Sequence, residues 1–180
     1  MNYINDTVGE LMYAFFLTSL AWSAPESSCT LLERPILTER QDILVSDMST
    51  LIKDAKGCVT VIELWASWCG PCVKIAPEVD AFHKAYPNVA FVSISADATA
   101  NAAERFWKTH PPIGQKYRLS QWSITELQQT YAEVNATFPE AIPYFVVLDA
   151  QGQLQLEIHE PRNLNALEAT ITSLTSQPKR

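Results

Sequence analysis

The chain has 180 residues, 47% of them hydrophobic, so it is long enough to bury one conventional core without metal or disulfide staples. Its 13 basic and 20 acidic residues give a formal charge of -7, and the basic residues form no run. This charge excludes nucleic acid and anionic membrane surfaces as expected partners. No stretch reaches the roughly 18 apolar residues that a membrane-spanning helix needs.

The first predicted element is an apolar segment, residues 11–24, followed by a polar, proline-containing break. This pattern is typical of the core of a secretory signal peptide and predicts a periplasmic or otherwise extracytoplasmic protein, with residues 1–24 as the signal. Against export, residues 1–10 carry Asp6 and Glu10 and lack the basic residues of an export signal. The alternative is an N-terminal apolar helix in a cytoplasmic protein. Membrane contact is expected only if this segment is an uncleaved anchor.

The hydrophobic pattern then predicts alternating helices and strands. In chain order these are an irregular lead-in at 25–41, a helix at 47–56, a strand at 59–65, a helix at 69–86 and a strand at 89–95. Both strands are almost wholly apolar, which indicates burial on both faces. Pro77 should kink the long helix. A strand, a helix and another strand form a βαβ unit, whose crossover should be right-handed.

The second half of the chain predicts two helices, a hairpin and a closing helix. These are helices at 100–109 and 123–132, strands at 144–149 and 153–158, and a helix at 164–174. Ser123 and Glu126 form a capping box at the start of the second helix. We therefore predict one α/β domain over residues 42–176, with a helical insertion at about 98–138.

Two of the four cysteines, Cys69 and Cys72, stand three residues apart at the start of a predicted helix. One helical turn brings their Cα atoms within the roughly 4.4–6.8 Å over which a disulfide closes without strain. The unpaired amides and the dipole of the helix N-terminus favour an anion at Cys69, and the thiolate is the reactive form of cysteine. We predict that Cys69 attacks a substrate disulfide and that Cys72 resolves the mixed disulfide.

Other interpretations of the cysteines exist. A CxxC pair can be half of a zinc site, but no second CxxC is present and the three histidines are far apart in sequence, so no metal is expected. A purely structural disulfide is the other alternative for Cys69 and Cys72. Cys29 and Cys58 could form a structural disulfide or remain free buried thiols, because spacing alone does not establish connectivity.

Residues 65–72, WASWCGPC, resemble the active-site signature of the thioredoxin superfamily, and the likeness extends to Pro77. Ala141-Ile142-Pro143 is similar to that family's cis-proline loop, which faces the CxxC and holds an extended substrate chain. The resemblance implies a thioredoxin fold, a central mixed sheet flanked by helices, with an N-terminal extension and the helical insertion before the cis-proline strand. The insertion and the export pattern are most similar to TlpA/ResA-type extracytoplasmic members. No cofactor is implied.

The resemblance also implies roles for individual residues. Glu63 takes the place of the family's buried aspartate, and burial in a strand without polar neighbours should raise its pKa, so we expect it to shuttle the proton of Cys72. The alternative is a glutamate whose head group reaches solvent. The lysine that thioredoxins place on the next strand falls near Ser93 and is absent. Expected substrate contacts are Trp68, Gly70, Pro71, Ile142 and Tyr144, although Tyr144 could instead simply begin its strand, and Trp65 is expected in the core.

These residues indicate an enzyme that reduces protein disulfides and receives electrons from a thiol donor. The Gly-Pro pair between the cysteines resembles that of thioredoxin, whose potential of about −270 mV is far below the about −120 mV of the oxidant DsbA. The alternatives are a disulfide oxidase or isomerase of the same fold, or a non-catalytic binding module. Replacement of Cys72 by serine distinguishes a catalyst, which would trap a mixed disulfide, from a binder.

Overall fold

The computed structural model of the protein describes residues 29–34, 41–110, 114–159 and 164–176. Within these ranges the strands are β1 (Gln41–Leu44), β2 (Thr60–Trp65), β3 (Ala90–Ser95), β4 (Gln115–Gln121), β5 (Tyr144–Leu148) and β6 (Leu154–His159). The helices are α1 (Thr30–Glu33), α2 (Val45–Asp54), α3 (Gly70–Ala85), α4 (Ala100–Thr109), α5 (Ile124–Ala132) and α6 (Asn165–Thr175).

The strands form one mixed sheet in the order β1-β4-β3-β2-β5-β6. β1, β4, β3 and β2 run parallel, whereas β5 pairs antiparallel with both β2 and β6. The carboxyl ends of four parallel strands therefore lie along one edge of the sheet. β2 is a central strand that ends at this edge, and the CxxC motif follows it directly.

Helices cover both faces of the sheet. Alternate residues of β5 enter two separate hydrophobic clusters, with Val146 in one and Phe145 and Val147 in the other. Since successive side chains of a strand point to opposite faces, the two clusters lie on opposite sides of the sheet. Residues of α2, α4 and α5 belong to the first cluster, and the body of α3 packs with α6 in the second.

The predicted fold class is confirmed: the architecture is a mixed sheet flanked by helices. The helix at 100–109 has the predicted bounds, and the Ser123 hydroxyl accepts a hydrogen bond from the amide of Glu126 at 3.2 Å, as the capping box predicted. Strands β1 and β4 were not predicted, so the interval 98–138 contains a strand besides its two helices. β4 is polar in sequence, but Arg118 is buried in it because its guanidinium pairs with Asp42 of β1.

Several expectations concern residues that the structure does not describe. The apolar segment at 11–24 lies outside the described ranges, as do Pro35 and most of the lead-in at 25–41. Within the described ranges, no helix combines the length and apolar character needed to cross a membrane.

Candidate active site

The CxxC pair lies at the junction of β2 and α3. Cys69 is the N-cap of α3, and its sulfur accepts a hydrogen bond from the amide of Cys72 at 3.1 Å. The two cysteines form a disulfide with an S–S distance of 2.08 Å and a Cα–Cα distance of 5.2 Å. Both are buried, with 5% of Cys69 and 2% of Cys72 exposed. The predicted placement of the pair at a helix N-terminus is confirmed.

The start of α3 favours a negative charge on Cys69 when the pair is reduced. Free amides and the positive end of a 16-residue helix lie at this sulfur. The first turn, residues 70–73, carries no acidic side chain that would oppose the dipole. A thiolate at Cys69 is therefore stabilised relative to one at an ordinary cysteine.

Asp97 anchors the loop that leads from β2 to Cys69. It lies two residues after the end of β3 and is fully buried. Its carboxylate accepts hydrogen bonds from the Ser67 amide at 3.0 Å, the Ser67 hydroxyl at 2.7 Å and the Ser95 hydroxyl at 2.8 Å. Hydrogen bonds to a charged acceptor are stronger than neutral ones, so this carboxylate fixes the backbone two residues before the reactive sulfur.

The loop before β5 faces the disulfide. The Ile142–Pro143 peptide bond is cis, as the resemblance implied. Cys69 Sγ lies 3.5 Å from the carbonyl oxygen of Ile142. Leu64 of β2 pairs with Tyr144 of β5, and this register holds the proline loop beside the CxxC.

Glu63 lies on β2 behind the disulfide and pairs with Ser93 of β3 in the parallel register. Ser93 therefore stands beside Glu63, at the position expected for the lysine of thioredoxins. Trp65 Nε1 donates to Ser93 Oγ at 2.8 Å, and the Ser93 hydroxyl donates to Glu63 Oε2 at 3.5 Å. Burial raises the pKa of Glu63 to about 8; the Ser93 hydrogen bond opposes this shift, and the charge of Asp80 adds to it. The direction of this shift agrees with the expectation, but the expectation of no polar neighbours was wrong, because Ser93 is one.

A family model described as thioredoxin-like matches residues 57–154, more than half of the chain. The chain belongs to the thioredoxin-like family. The match includes the CxxC, Glu63 and the cis-proline loop, and it confirms the membership that WASWCGPC predicted.

Two curated proteins illustrate how far this thioredoxin-like chain matches its relatives. Thioredoxin domain-containing protein 8 of Mus musculus is 35% identical over 77 residues, which are 43% of this chain and 61% of that protein. The thioredoxin of Geodia cydonium is 39% identical over 59 residues, which are 33% of this chain and 56% of that protein. The matched region therefore spans less than two thirds of either relative.

Solved structures share the thioredoxin-like fold. A secreted disulfide oxidoreductase of Mycobacterium tuberculosis, homologous to E. coli DsbE, is 22% identical with a TM-score of 0.51, covering 66% of this chain and 84% of that one. A thiol:disulfide interchange protein of the thioredoxin family from Chlorobium tepidum is 21% identical with a TM-score of 0.56, covering 70% and 83%. At these identities the likeness shows the fold alone.

The open side of the thioredoxin-like site is formed by the residues around the cysteines. Trp68 is 65% exposed, and Gly70 and Pro71 are exposed beside it. A Cβ on Gly70 would meet no described heavy atom within 4 Å, so packing does not require glycine there. Ile142 is half-buried at the opposite rim, and Pro143 is buried behind it. These residues lie together, as expected of a surface that a substrate could contact.

Tyr144 does not lie on that surface. Its side chain is fully buried, and its hydroxyl donates to Glu157 Oε2 at 3.0 Å. Of the two alternatives for this residue, the structure agrees with the one in which it begins the strand and packs in the core, because no part of its side chain is accessible to a substrate. Trp65 is 2% exposed and lies in the core, as expected.

The second cysteine pair is also a disulfide. Cys29, the N-cap of α1, is bonded to Cys58, and their Cα atoms are 5.2 Å apart. The Thr30 hydroxyl donates to the carbonyl of Asp54 at 3.1 Å, and Arg34 forms an ion pair with the Asp54 carboxylate. The disulfide therefore belongs to a cluster of contacts that fastens α1 to the end of α2.

Three residues near the site were missed by sequence reasoning: Asp97, Asp80 and His110. Asp97 could have been found, because an acidic residue just beyond the end of a buried parallel strand lies at the edge where the CxxC also lies. Asp80 and His110 lie on separate helices, and no spacing in the sequence predicts that both line one cleft with Glu63. No group of three or more His, Cys, Asp or Glu side chains arranged to hold a metal occurs in the described part of the chain.

Proposed function

We propose that this chain is a thiol–disulfide oxidoreductase that reduces disulfides in proteins through Cys69 and Cys72. The observation that carries the proposal is the position of Cys69. Its sulfur lies at the N-terminus of α3, 3.5 Å from the carbonyl of the residue before the cis-proline, and next to exposed Trp68. Cys69 Sγ thus lies between a helix end that stabilises an anion and the cis-proline loop. This position suits attack on a disulfide in an extended substrate chain.

The proposed reaction begins with the reduced protein. The Cys69 thiolate attacks one sulfur of a substrate disulfide, forming a mixed disulfide, and the other substrate sulfur leaves as a thiolate. Cys72 then loses its proton to Glu63, and its thiolate attacks the Cys69 sulfur. The second substrate sulfur leaves, so the substrate disulfide is reduced and the Cys69–Cys72 dithiol is oxidised. A thiol electron donor must reduce the pair again before the next cycle.

The proposed compartment is periplasmic or otherwise extracytoplasmic. The Cys29–Cys58 disulfide lies apart from the active site, and such structural disulfides persist in oxidising compartments. The apolar segment at 11–24 supports the same proposal. The structural likeness to a secreted oxidoreductase is compatible with it. Membership of the TlpA/ResA type is part of this proposal.

The first test is a trapping experiment with matched serine variants. Cys72→Ser removes the resolving thiol, so it should accumulate a mixed disulfide through Cys69 when mixed with a protein disulfide. Cys69→Ser retains a thiol of similar burial but lacks the helix-capping sulfur, and it should trap far less. Mass spectrometry of non-reduced protein measures both. Equal, negligible trapping by the two variants would leave a non-catalytic binding module as the function.

The second test establishes the direction of electron flow. Equilibration of the Cys69–Cys72 pair with a dithiothreitol or glutathione buffer series measures its reduction potential. A reductant should lie near the about −270 mV of thioredoxin, whereas a value near the about −120 mV of DsbA would instead assign an oxidase.

A further inference from the structure

A narrow cleft connects the back of the active site with the protein surface. Its inner wall contains Glu63 of β2 and Cys72 of α3. Asp80 of α3 and His110, the C-cap of α4, also line it and are only half-buried, so they form its outer end. The cleft has a volume of about 20 Å³, which is room for one water molecule.

Trp107 supplies independent evidence that this cleft receives a polar occupant. Its side chain lines the cleft and the residue is only 7% exposed. The buried indole N–H has no hydrogen-bond partner among the residues that the structure describes. A buried donor is costly to leave unpaired, and a water molecule in the cleft would satisfy it.

The hydrogen bonds of His110 determine which of its nitrogens can exchange a proton. The Thr109 hydroxyl donates its hydrogen to the carbonyl of Phe106 at 2.9 Å, so its oxygen can only accept from His110 Nδ1, 2.9 Å away. Nδ1 therefore carries a hydrogen, which leaves Nε2 as the ring nitrogen that can accept a proton. The imidazole also stacks on Phe106 with ring centroids 4.5 Å apart, which holds its orientation.

The charged groups around the cleft come from three elements. Glu63 belongs to β2, His110 ends α4, and α3 contributes Asp80, His83 and the exposed Lys84. Burial raises the pKa of Asp80, while the positive charges of His110 and Lys84 lower it. Burial lowers the pKa of His83 to about 4, so that side chain is uncharged near neutral pH. Asp80 and His110 are therefore an electrostatically coupled pair at the outer end of the cleft.

We propose that Asp80 and His110 are the proton exit of Glu63, with a water held by Trp107 completing the connection through the cleft. The proposal rests on the proposed role of Glu63 as the base for Cys72. Cys72 gives its proton to the Glu63 carboxylate as it attacks the mixed disulfide. That carboxylate forms beforehand, when Glu63 passes its own proton through the water to His110 Nε2, with Asp80 stabilising the imidazolium, and His110 releases it to solvent. The exit therefore precedes the resolving step, so its loss slows that step within a single turnover.

The test is buffer rescue of a single turnover. Reduced protein is mixed with glutathione disulfide in stopped flow, and release of the second glutathione measures the resolving step. The buffer is either dilute or supplemented with imidazole at constant pH and ionic strength. In dilute buffer His110→Gln should be slowed roughly tenfold, less than the 10²–10⁴-fold that a positioned acid or base contributes, and imidazole should restore its rate. Asp80→Asn should behave in the same way to a smaller extent.

His159→Gln is the matched control, since His159 is a half-exposed histidine on β6, outside the cleft. Its rate should equal that of the unmodified protein in both buffers. A wild-type rate for His110→Gln in dilute buffer, or a slow rate that imidazole does not restore, would overturn the proton exit. Glu63→Gln separates this proposal from the proposed function. Its rate of glutathione release should be low, and imidazole should not restore it. A wild-type rate for Glu63→Gln would show that Glu63 is not the base for Cys72, while trapping by Cys72→Ser would still test the proposed function.

Discussion

Replacing Glu63 by glutamine should change how the stability of the oxidised protein depends on pH. The carboxyl has a pKa of about 8 in the folded protein, against an ordinary value of 4.5. Between these values the folded chain binds one proton more than the unfolded chain, so stability falls as pH rises. From pH 5 to pH 9 the loss attributable to this group is about 4 kcal/mol, since one unit of pKa corresponds to about 1.36 kcal/mol. Glutamine does not titrate and abolishes this contribution.

The assay is urea unfolding of both proteins at pH 5, 7 and 9, with both disulfides intact. The glutamine amide can lose a hydrogen bond relative to the protonated carboxyl, which changes stability at every pH. The quantity to compare is therefore how the difference in unfolding free energy between the two proteins changes with pH. This difference cancels the contributions of all other titrating groups. Glu63→Gln should gain about 4 kcal/mol relative to the unmodified protein between pH 5 and pH 9. Stability curves that stay parallel over this range would refute the burial argument for Glu63.

Three further predictions follow from other contacts. Replacing Cys29 and Cys58 together by serine opens a loop of 29 residues and should cost about 3.5 kcal/mol in urea unfolding, while disulfide reduction continues at the original rate. Asp97→Asn weakens the bonds to Ser67 and should cost at least about 2 kcal/mol. It should also lower kcat, whereas a stability loss with unchanged kcat would show that the loop needs no such anchor. Trp68→Ala removes an exposed side chain, so unfolding should change by less than about 0.5 kcal/mol. Its KM for a protein disulfide should rise several-fold without a matching fall in kcat, and an unchanged KM would remove Trp68 from the substrate surface.

The parts of the fold that could be predicted are those set by local pattern. The run before Trp65 is apolar and β-branched, and a buried strand of that composition followed by a CxxC places Cys69 at a helix start. The capping box at Ser123 and the strand after Pro143 are similarly local. The βαβ unit follows from the order of these elements, so the central strands and the position of the disulfide could be predicted together.

The remaining features depend on contacts between distant segments. β4 is polar in sequence, and it is a buried strand because Asp42, 76 residues away from Arg118, neutralises its arginine. For Tyr144 the sequence leaves two alternatives open, because position next to a proline does not reveal which way a side chain points. The cleft that His110 and Glu63 both line arises from the packing of α4 on the sheet, which no spacing in the sequence encodes.

β1, the outermost parallel strand, limits how small a working fragment of this protein can be. The family match covers residues 57–154, which excludes β1, α2 and α6. A fragment limited to that range would leave β4 as an unpaired edge, exposing the backbone beside Tyr117 and Leu119, which are now 2% and 1% accessible. Uncovered edges of this kind recruit other chains and cause aggregation. The unit that folds is therefore larger than the unit that sequence similarity delimits, and proteolysis that removes β1 should yield an insoluble product even if the CxxC remains intact.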